Sequence, residues 1–296
     1  MTRAMILCAG FGTRLRPLTD ELPKPLAPIG DRSILSHTAS HLAKLGVADA
    51  VINVHHLADR FSRIINDLPL KVQIVRELEI RGTAGGVAGA RSHFTEAPVL
   101  VWNGDILVKP PVSEVLACAA EVGVCLCVAE RVDGRGTVGL DARGSVVRLR
   151  GECFGEEVRS ADYVGVLALS GEVLGALPER GCLIGDVTLP ILRRGGRVAG
   201  VAVTGGFLDA GDPETLLRAN LDWLEQRVLA SYVAPGVEVD PGVSVERSVV
   251  SRGARVRGHG ALRECLICEG AEVTAPLSRA IVTPSGRIIH ARISSG

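Results

Sequence analysis

Five short apolar runs, residues 4–9, 50–54, 72–75, 99–102 and 124–128, alternate with helical patterns over the first two hundred residues of the chain. Strands buried on both faces of a parallel sheet have this texture. Between the first two runs, Ile34, Leu35, Thr38, Leu42 and Leu45 recur at helical spacing, and Gly46 stands where a C-terminal cap belongs. Residues 57–68 supply the next crossover. The order β-α-β-α predicts an α/β fold built on a doubly wound, mostly parallel sheet. Ligands of such sheets bind beyond the carboxyl ends of the strands, which directs attention to residues 10–16 and 103–105.

A further helix is expected over residues 213–229, and after it the texture changes. Val233, Val239 and Val245 recur every six residues, as do Val237, Val243 and Val249. After a one-residue slip, Val250, Val256 and Leu262 repeat the spacing, with Gly236, Gly242, Gly253 and Gly258 among the turns. This resembles the hexapeptide repeat of left-handed parallel β-helices, in which each coil buries its apolar face by stacking on a neighbour. The expected division is a Rossmann-like domain over residues 1–230 and a small left-handed β-helix over 231–296. An irregular β-rich tail is the alternative.

Composition excludes several classes. The 33 basic and 33 acidic side chains cancel, so no excess positive field attracts a polyanion, and neither nucleic acid nor membrane is an expected partner. The longest apolar runs, such as 122–129, fall well short of the roughly 20 residues that cross a bilayer, and a cytoplasmic location is expected. Eight Cys in 296 residues is not the density of a disulfide scaffold, so no disulfides are expected. His55-His56, Cys125-x-Cys127 and Cys265-x-x-Cys268 lack the companions of a zinc site and read as structural.

The segment following the first run turns through Gly10 and Gly12, which let backbone N–H groups approach a phosphate without Cβ interference. A tight structural turn would use the same glycines. Arg14 offers a planar fork of donors to phosphate oxygens. Lys24 sits between Pro23 and Pro25, whose fixed φ restrains it, and it is one of only four lysines among the 33 basic residues.

Together, Gly10-x-Gly12-Thr13-Arg14-Leu15-x-Pro17-Leu18-Thr19 and Pro23-Lys24-Pro25-Leu26-x-Pro28 resemble the signature of the sugar-1-phosphate nucleotidylyltransferases. The resemblance implies that Ala9, Gly10, Gly12, Thr13 and Arg14 bind a nucleoside triphosphate and assist departure of pyrophosphate, and that Lys24 stabilises the reacting phosphates. Asp105, at the carboxyl end of the fourth run, and Asp209, in Phe207-Leu-Asp-Ala-Gly211, resemble the family's Mg²⁺ ligands. Outside that resemblance each Asp reads as a turn or helix-cap residue. Gly82, Thr83 and Ala84 correspond to the loop lying against the nucleobase, or else form an ordinary helix start.

On the sugar-phosphate side the resemblance implies Asn103, Gly104, Gly165 and Asp186. The family often carries Glu-Lys-Pro ahead of its sugar-pocket strand; here that stretch reads Arg148-Leu-Arg-Gly-Glu-Cys-Phe154, so Arg148 or Arg150 is the candidate substitute for the lysine. The usual Gly-Thr after the second aspartate is Gly211-Asp212. The implied reaction transfers a nucleoside monophosphate from an NTP to a sugar 1-phosphate with Mg²⁺ as cofactor, most like the enzymes that make GDP-mannose. Uridylyl or thymidylyl transfer and a noncatalytic regulatory subunit are the alternatives, and a homo-oligomer is expected.

Overall fold

The computed structural model describes residues 3–94 and 98–291. The chain forms two compact units, one of residues 1–10 and 38–207, the other of residues 11–37 and 208–296.

The first unit is a ten-stranded mixed sheet carrying helices. Its principal strands are β1 (Arg3–Leu7), β2 (Asp49–Val54), β3 (Lys71–Arg76), β4 (Val99–Asn103), β5 (Val124–Arg131), β6 (Val138–Leu140), β7 (Val146–Leu149), β8 (Arg159–Leu169) and β9 (Ala199–Ala202). The first four run parallel in the spatial order β3-β2-β1-β4, as the apolar runs predict. β3 alternates in exposure because it is an edge strand and buries only part of its surface. Beyond β4 the parallel order stops: β8 pairs antiparallel with both β4 and β5, and β9 returns parallel to β5. The core gathers Met5, Val51, Val99 and Val101 with Val124, Leu126, Leu167 and Leu169.

The helix begun by Ile34 ends at Lys44, and Gly46 follows with φ 79°, the expected C-terminal geometry. Leu45 lies past that last turn and is exposed rather than part of the apolar stripe. The crossover over 57–68 is two short 3₁₀ segments, Ala58–Arg63 and Ile65–Asp67, not one helix. Phe61 is the only buried side chain in them, and one anchor holds single turns rather than an amphipathic helix. The helix Val112–Val122 was not anticipated, although Val112, Val115 and Ala119 are buried at helical spacing. Among the described residues no helix is long and apolar enough to cross a membrane.

In the second unit the signature segment folds as three 3₁₀ turns, Thr13–Leu15, Leu18–Asp20 and Lys24–Leu26, followed by a tight hairpin. Helix Pro213–Gln226 starts with a capping box in which the Asp212 carboxylate accepts from Thr215 N at 2.9 Å and Asp212 N donates to the Thr215 hydroxyl at 3.1 Å. This is the use to which Asp212 is put. Further along, Asn220, almost wholly buried, accepts from Gly30 N at 2.8 Å and donates to Pro28 O at 3.1 Å, tying hairpin to helix.

The C-terminal strands stack in parallel up to Glu272–Val282, on which Ile288–His290 folds back antiparallel. Tyr232 lies beside Val249 and Val249 beside Leu266, each 17 positions on; Val239 and Val256, then Val256 and Val273, repeat the offset. Val250, Val256, Leu262, Ile267, Val273 and Val282 form the stack's core, while Val237, Val239, Val243 and Val245 of the opening turn are only partly covered. Val233, one of the sixfold positions, is exposed at that open end. Cys265 and Cys268 are buried in the stack, and burial pushes their thiols up to about 11 and about 12 respectively.

Candidate functional site

Register fixes the first group of candidates. Leu7 faces Asn53 on one side and Asn103 on the other, so β1, β2 and β4 end level at their carboxyl ends. Ala9 and Gly10 leave β1 at that edge, Ala9 buried and Gly10 exposed. Gly104 N donates to Leu7 O at 2.9 Å, and the buried Trp102 indole donates to Ile106 O at 3.0 Å, closing the turn that presents Asn103 and Asp105. Burial drives the Cys8 thiol far above its ordinary range, and the Asp105 carboxylate adds to the shift, which places these two side chains near one another. Gly165 belongs to the same neighbourhood: a Cβ on it would come within 3.0 Å of Asn103 Nδ2.

A buried polar chain ties this edge to the glycine-rich helix start. Cys8 N donates to Asn53 Oδ1 at 2.9 Å, Asn53 Nδ2 to Glu77 Oε1 at 2.7 Å, and Arg81 N to Glu77 Oε2 at 3.2 Å. Nothing in the signature match points to Asn53 or Glu77. The available signal was one amide inside the apolar run Val51-Ile-Asn-Val54, a residue that a buried strand holds only with its partners supplied.

Arg81 leads into Gly82, whose φ of 74° suits glycine and whose Cβ, were there one, would lie 2.4 Å from Gly181 O. Ala84 N donates to Gly181 O at 2.9 Å, and the Thr83 hydroxyl accepts from Leu183 N at 2.8 Å. The three base-loop candidates are therefore stitched to the segment that contains Asp186. Asp186 is exposed, and its Oδ2 accepts from Cys182 N at 2.7 Å. Residues Leu183–Thr188 form a π-helical turn, an uncommon device that concentrates at functional sites.

The two arginines considered for the missing lysine have different employment. Arg148 is committed to Glu157 through contacts of 2.6 and 2.9 Å and to Gly136 O at 2.9 Å. Arg150, with a left-handed φ of 49°, reaches Cys182 Sγ at 3.5 Å, beside Gly185.

In the second unit, Gly12 adopts φ 61°, and a Cβ there would lie 2.8 Å from Thr19 Cγ2. The Thr19 hydroxyl donates to Gly12 O at 2.8 Å, closing the loop that starts the turn of Thr13 and Arg14. Lys24 opens the third 3₁₀ turn with only 8% of its surface exposed, and its ammonium lies 3.6 Å from Asp209 Oδ1. The Arg14 guanidinium packs over Gly211, 2.8 Å from where a Cβ would stand. Asp209 is nearly half exposed as a side chain, yet its Oδ1 is enclosed and makes no hydrogen bond among the described residues. Arg14, Lys24 and Asp209, far apart in the sequence, thus form one group of two cations and a carboxylate.

The family model for nucleotidyl transferase matches residues 3–150. An N-acetylmuramate alpha-1-phosphate uridylyltransferase of Caulobacter vibrioides is 33% identical over 236 residues, covering 73% of this chain and 94% of that protein. A probable mannose-1-phosphate guanylyltransferase of Oryza sativa is 26% identical over 308 residues, covering 90% of this chain and 85% of that protein. Among solved structures, HddC from Yersinia pseudotuberculosis complexed with GMP-PN superposes with a TM-score of 0.64 at 23% identity, over 75% of this chain and 100% of that one, a likeness of fold.

Proposed function

Because the chain belongs to the sugar-1-phosphate nucleotidylyltransferases and is therefore an enzyme, we propose that it transfers the guanylyl unit of GTP to mannose 1-phosphate or a related sugar 1-phosphate, releasing pyrophosphate. The observation that carries this reading is the group of Lys24, Arg14 and Asp209. A sugar phosphate oxygen attacks the α-phosphorus; the bond from that phosphorus to the oxygen bridging to the β-phosphate breaks, and pyrophosphate leaves with the bonding pair. The obstacle is repulsion between two anionic substrates. Arg14 forks onto phosphate oxygens, and Lys24, restrained by its prolines and largely removed from water, meets the negative charge that builds during transfer. Catalysis of this kind needs positioning and charge but no covalent nucleophile.

Asp105 and Asp209 are the proposed holders of Mg²⁺. The donor set fits a hard, oxygen-seeking cation, and the enclosed, unbonded Oδ1 of Asp209 is the acceptor such an ion would use. When bound, Mg²⁺ would neutralise phosphate charge. Gly82, Thr83 and Ala84 are assigned to the nucleobase, Ala9, Gly10, Gly12 and Thr13 to the triphosphate, and Asn103, Gly104, Gly165 and Asp186 to the sugar phosphate. Arg150 takes the lysine's part on the sugar phosphate, since Arg148 is held by Glu157.

The guanylyl reading is supported by the length of the likeness, which for the plant relative reaches 90% of this chain. Uridylyl transfer is the second reading, favoured by the higher identity to the Caulobacter protein. We take residues 1–230 as catalytic and 231–296, of which 292–296 lie outside the described residues, as a left-handed β-helix, a reading supported by the sixfold spacing and the parallel stack. We also expect a homo-oligomer; a monomer by light scattering at micromolar concentration would count against it. The decisive experiment is pyrophosphate release from a panel of nucleoside triphosphates and sugar 1-phosphates with Mg²⁺. Turnover with one pair identifies donor and acceptor, and silence across the panel overturns the enzymatic assignment.

A further inference from the structure

The segment bearing Arg14 and Lys24 is gripped from the far end of the sequence. Glu21 accepts from the Thr283 hydroxyl at 2.9 Å, Ser285 N at 2.8 Å, the Ser285 hydroxyl at 2.7 Å, and Arg287 Nε and Nη2 at 2.8 and 2.5 Å. Arg287 also donates to Pro17 O at 2.9 Å and to Asp20 at 3.3 Å. Residues 283–287 are the turn between Glu272–Val282 and Ile288–His290, closed by Thr283 N to Arg287 O at 2.9 Å and Gly286 N to Thr283 O at 2.8 Å. Burial of Glu21 opposes its charge, but these donors outweigh burial and hold the carboxyl at about 2. The anchor is therefore ionised at any ordinary pH.

The gripped segment has little internal scaffolding. Its three 3₁₀ turns are each three residues long, and such turns have poor hydrogen-bond geometry and do not fix their own position. From Glu21 the chain reaches Lys24 through Leu22 and Pro23, and Pro25 follows, so the short link is stiffened on both sides of the lysine. A displacement at Glu21 is passed on rather than absorbed.

We propose that Glu21 and Arg287 are positioning residues for Lys24, and that the turn closing the C-terminal strand stack is thereby part of the catalytic apparatus rather than an appendage. The proposal rests on the reading of Lys24 as the cation that meets the phosphates. Neither residue touches the substrates; both act through the placement of Lys24, where an error of about 1 Å is enough to cost about 10²-fold in rate.

The test uses the full-length protein with Glu21→Gln, Arg287→Met, the double variant and Arg287→Lys, measuring kcat, both KM values and Tm. The expected result is a fall in kcat of about tenfold in each single variant, on the scale of a partly misplaced catalytic group, with KM for sugar 1-phosphate within about twofold. The double variant should be slowed by less than the product of the two single losses, because the two residues share a contact, and Arg287→Lys should recover part of the loss. Unchanged kcat in both folded single variants overturns the proposal, as does a loss that disappears at temperatures where the variants are fully folded. Should those variants fail to fold, Ser285→Gly, which removes one donor, is expected to lower kcat measurably, and unaltered kcat there has the same overturning force. A wild type silent with every substrate pair overturns the reading of Lys24 instead. Positioning is then judged by hydrogen exchange at the Leu15, Leu26 and Ala27 amides, which should quicken in Arg287→Met; unchanged exchange overturns the positioning claim by itself.

Discussion

The ammonium of Lys24 lies 3.6 Å from Oδ1 of Asp209, a pairing of residues far apart in the sequence. The lysine is largely buried, and the oxygen it approaches has no hydrogen bond among the described residues. An arrangement made only for stability would be expected to satisfy that acceptor; one made to share it with a ligand leaves it so. Lys24→Ala is accordingly expected to lower kcat for pyrophosphate release by about 10²–10³, the scale of losing one preorganised charge. A folded variant turning over at a near-normal rate would remove Lys24 from the chemistry.

Arg148 is held by Glu157 and Gly136 O, whereas Arg150 is the arginine proposed for the sugar phosphate. Arg150→Ala should raise KM for the sugar 1-phosphate about tenfold, the equivalent of one lost charge-assisted hydrogen bond, with little change in Tm. Arg148→Ala strands Glu157 and should cost about 1 kcal/mol in urea denaturation while leaving that KM close to normal. Steady-state kinetics and melting on the two proteins side by side decide the matter, and a reversed pattern would exchange the assignments.

Glu21 makes stability depend on pH in a definite direction. Its carboxyl, ordinarily near 4.5, is held at about 2 in the folded protein by Ser285, Arg287 and Thr283 against the opposing effect of burial. A depressed folded-state value means that the contribution is complete above the unfolded-state value and is lost as pH falls through roughly 4.5 toward 2. Between pH 5 and pH 2.5 the wild type should therefore lose more stability than Glu21→Gln, measured by urea denaturation at each pH. Parallel curves for the two proteins would show that Glu21 is not the group responsible.

The thiols should divide by burial. Cys265 and Cys268, pushed up by burial to about 11 and about 12, carry at pH 8 only about one thiolate in 10³–10⁴. Exposed Cys153 should be carbamidomethylated by iodoacetamide within minutes, while Cys265 and Cys268 resist until the stack unfolds, as read by peptide mass spectrometry. Rapid labelling of Cys265 in the native protein would mean that the stack opens readily.

How much of this was legible in the sequence depended on how local the cause was. Strands β1, β2, β4 and β5 announced themselves because burial on both faces leaves a nearly unbroken apolar run, and Gly46 marked its helix end because the left-handed turn there favours glycine. The crossover at 57–68 misled because its apolar residues are present but only Phe61 is buried, a tertiary outcome. The antiparallel joining of β8 to β4 likewise depends on long-range pairing that no local period encodes. At the site, Arg14 and Lys24 were conspicuous as a motif. Glu77 and Arg287 were not, because their importance lies in partners tens or hundreds of positions away. Asp212 had looked like a departure from the family pattern, and the capping box gives it a local purpose.

The level ends of β1, β2 and β4 constrain how this sequence can drift over time. With Leu7 opposite both Asn53 and Asn103, deleting one residue from β4 would retract Asp105 by about 3.3 Å and turn every later side chain of the strand to the opposite face. Substitutions can accumulate along these strands while their lengths cannot change. Natural insertions and deletions among descendants of this gene should therefore fall in the connecting loops and leave the three strand termini in step.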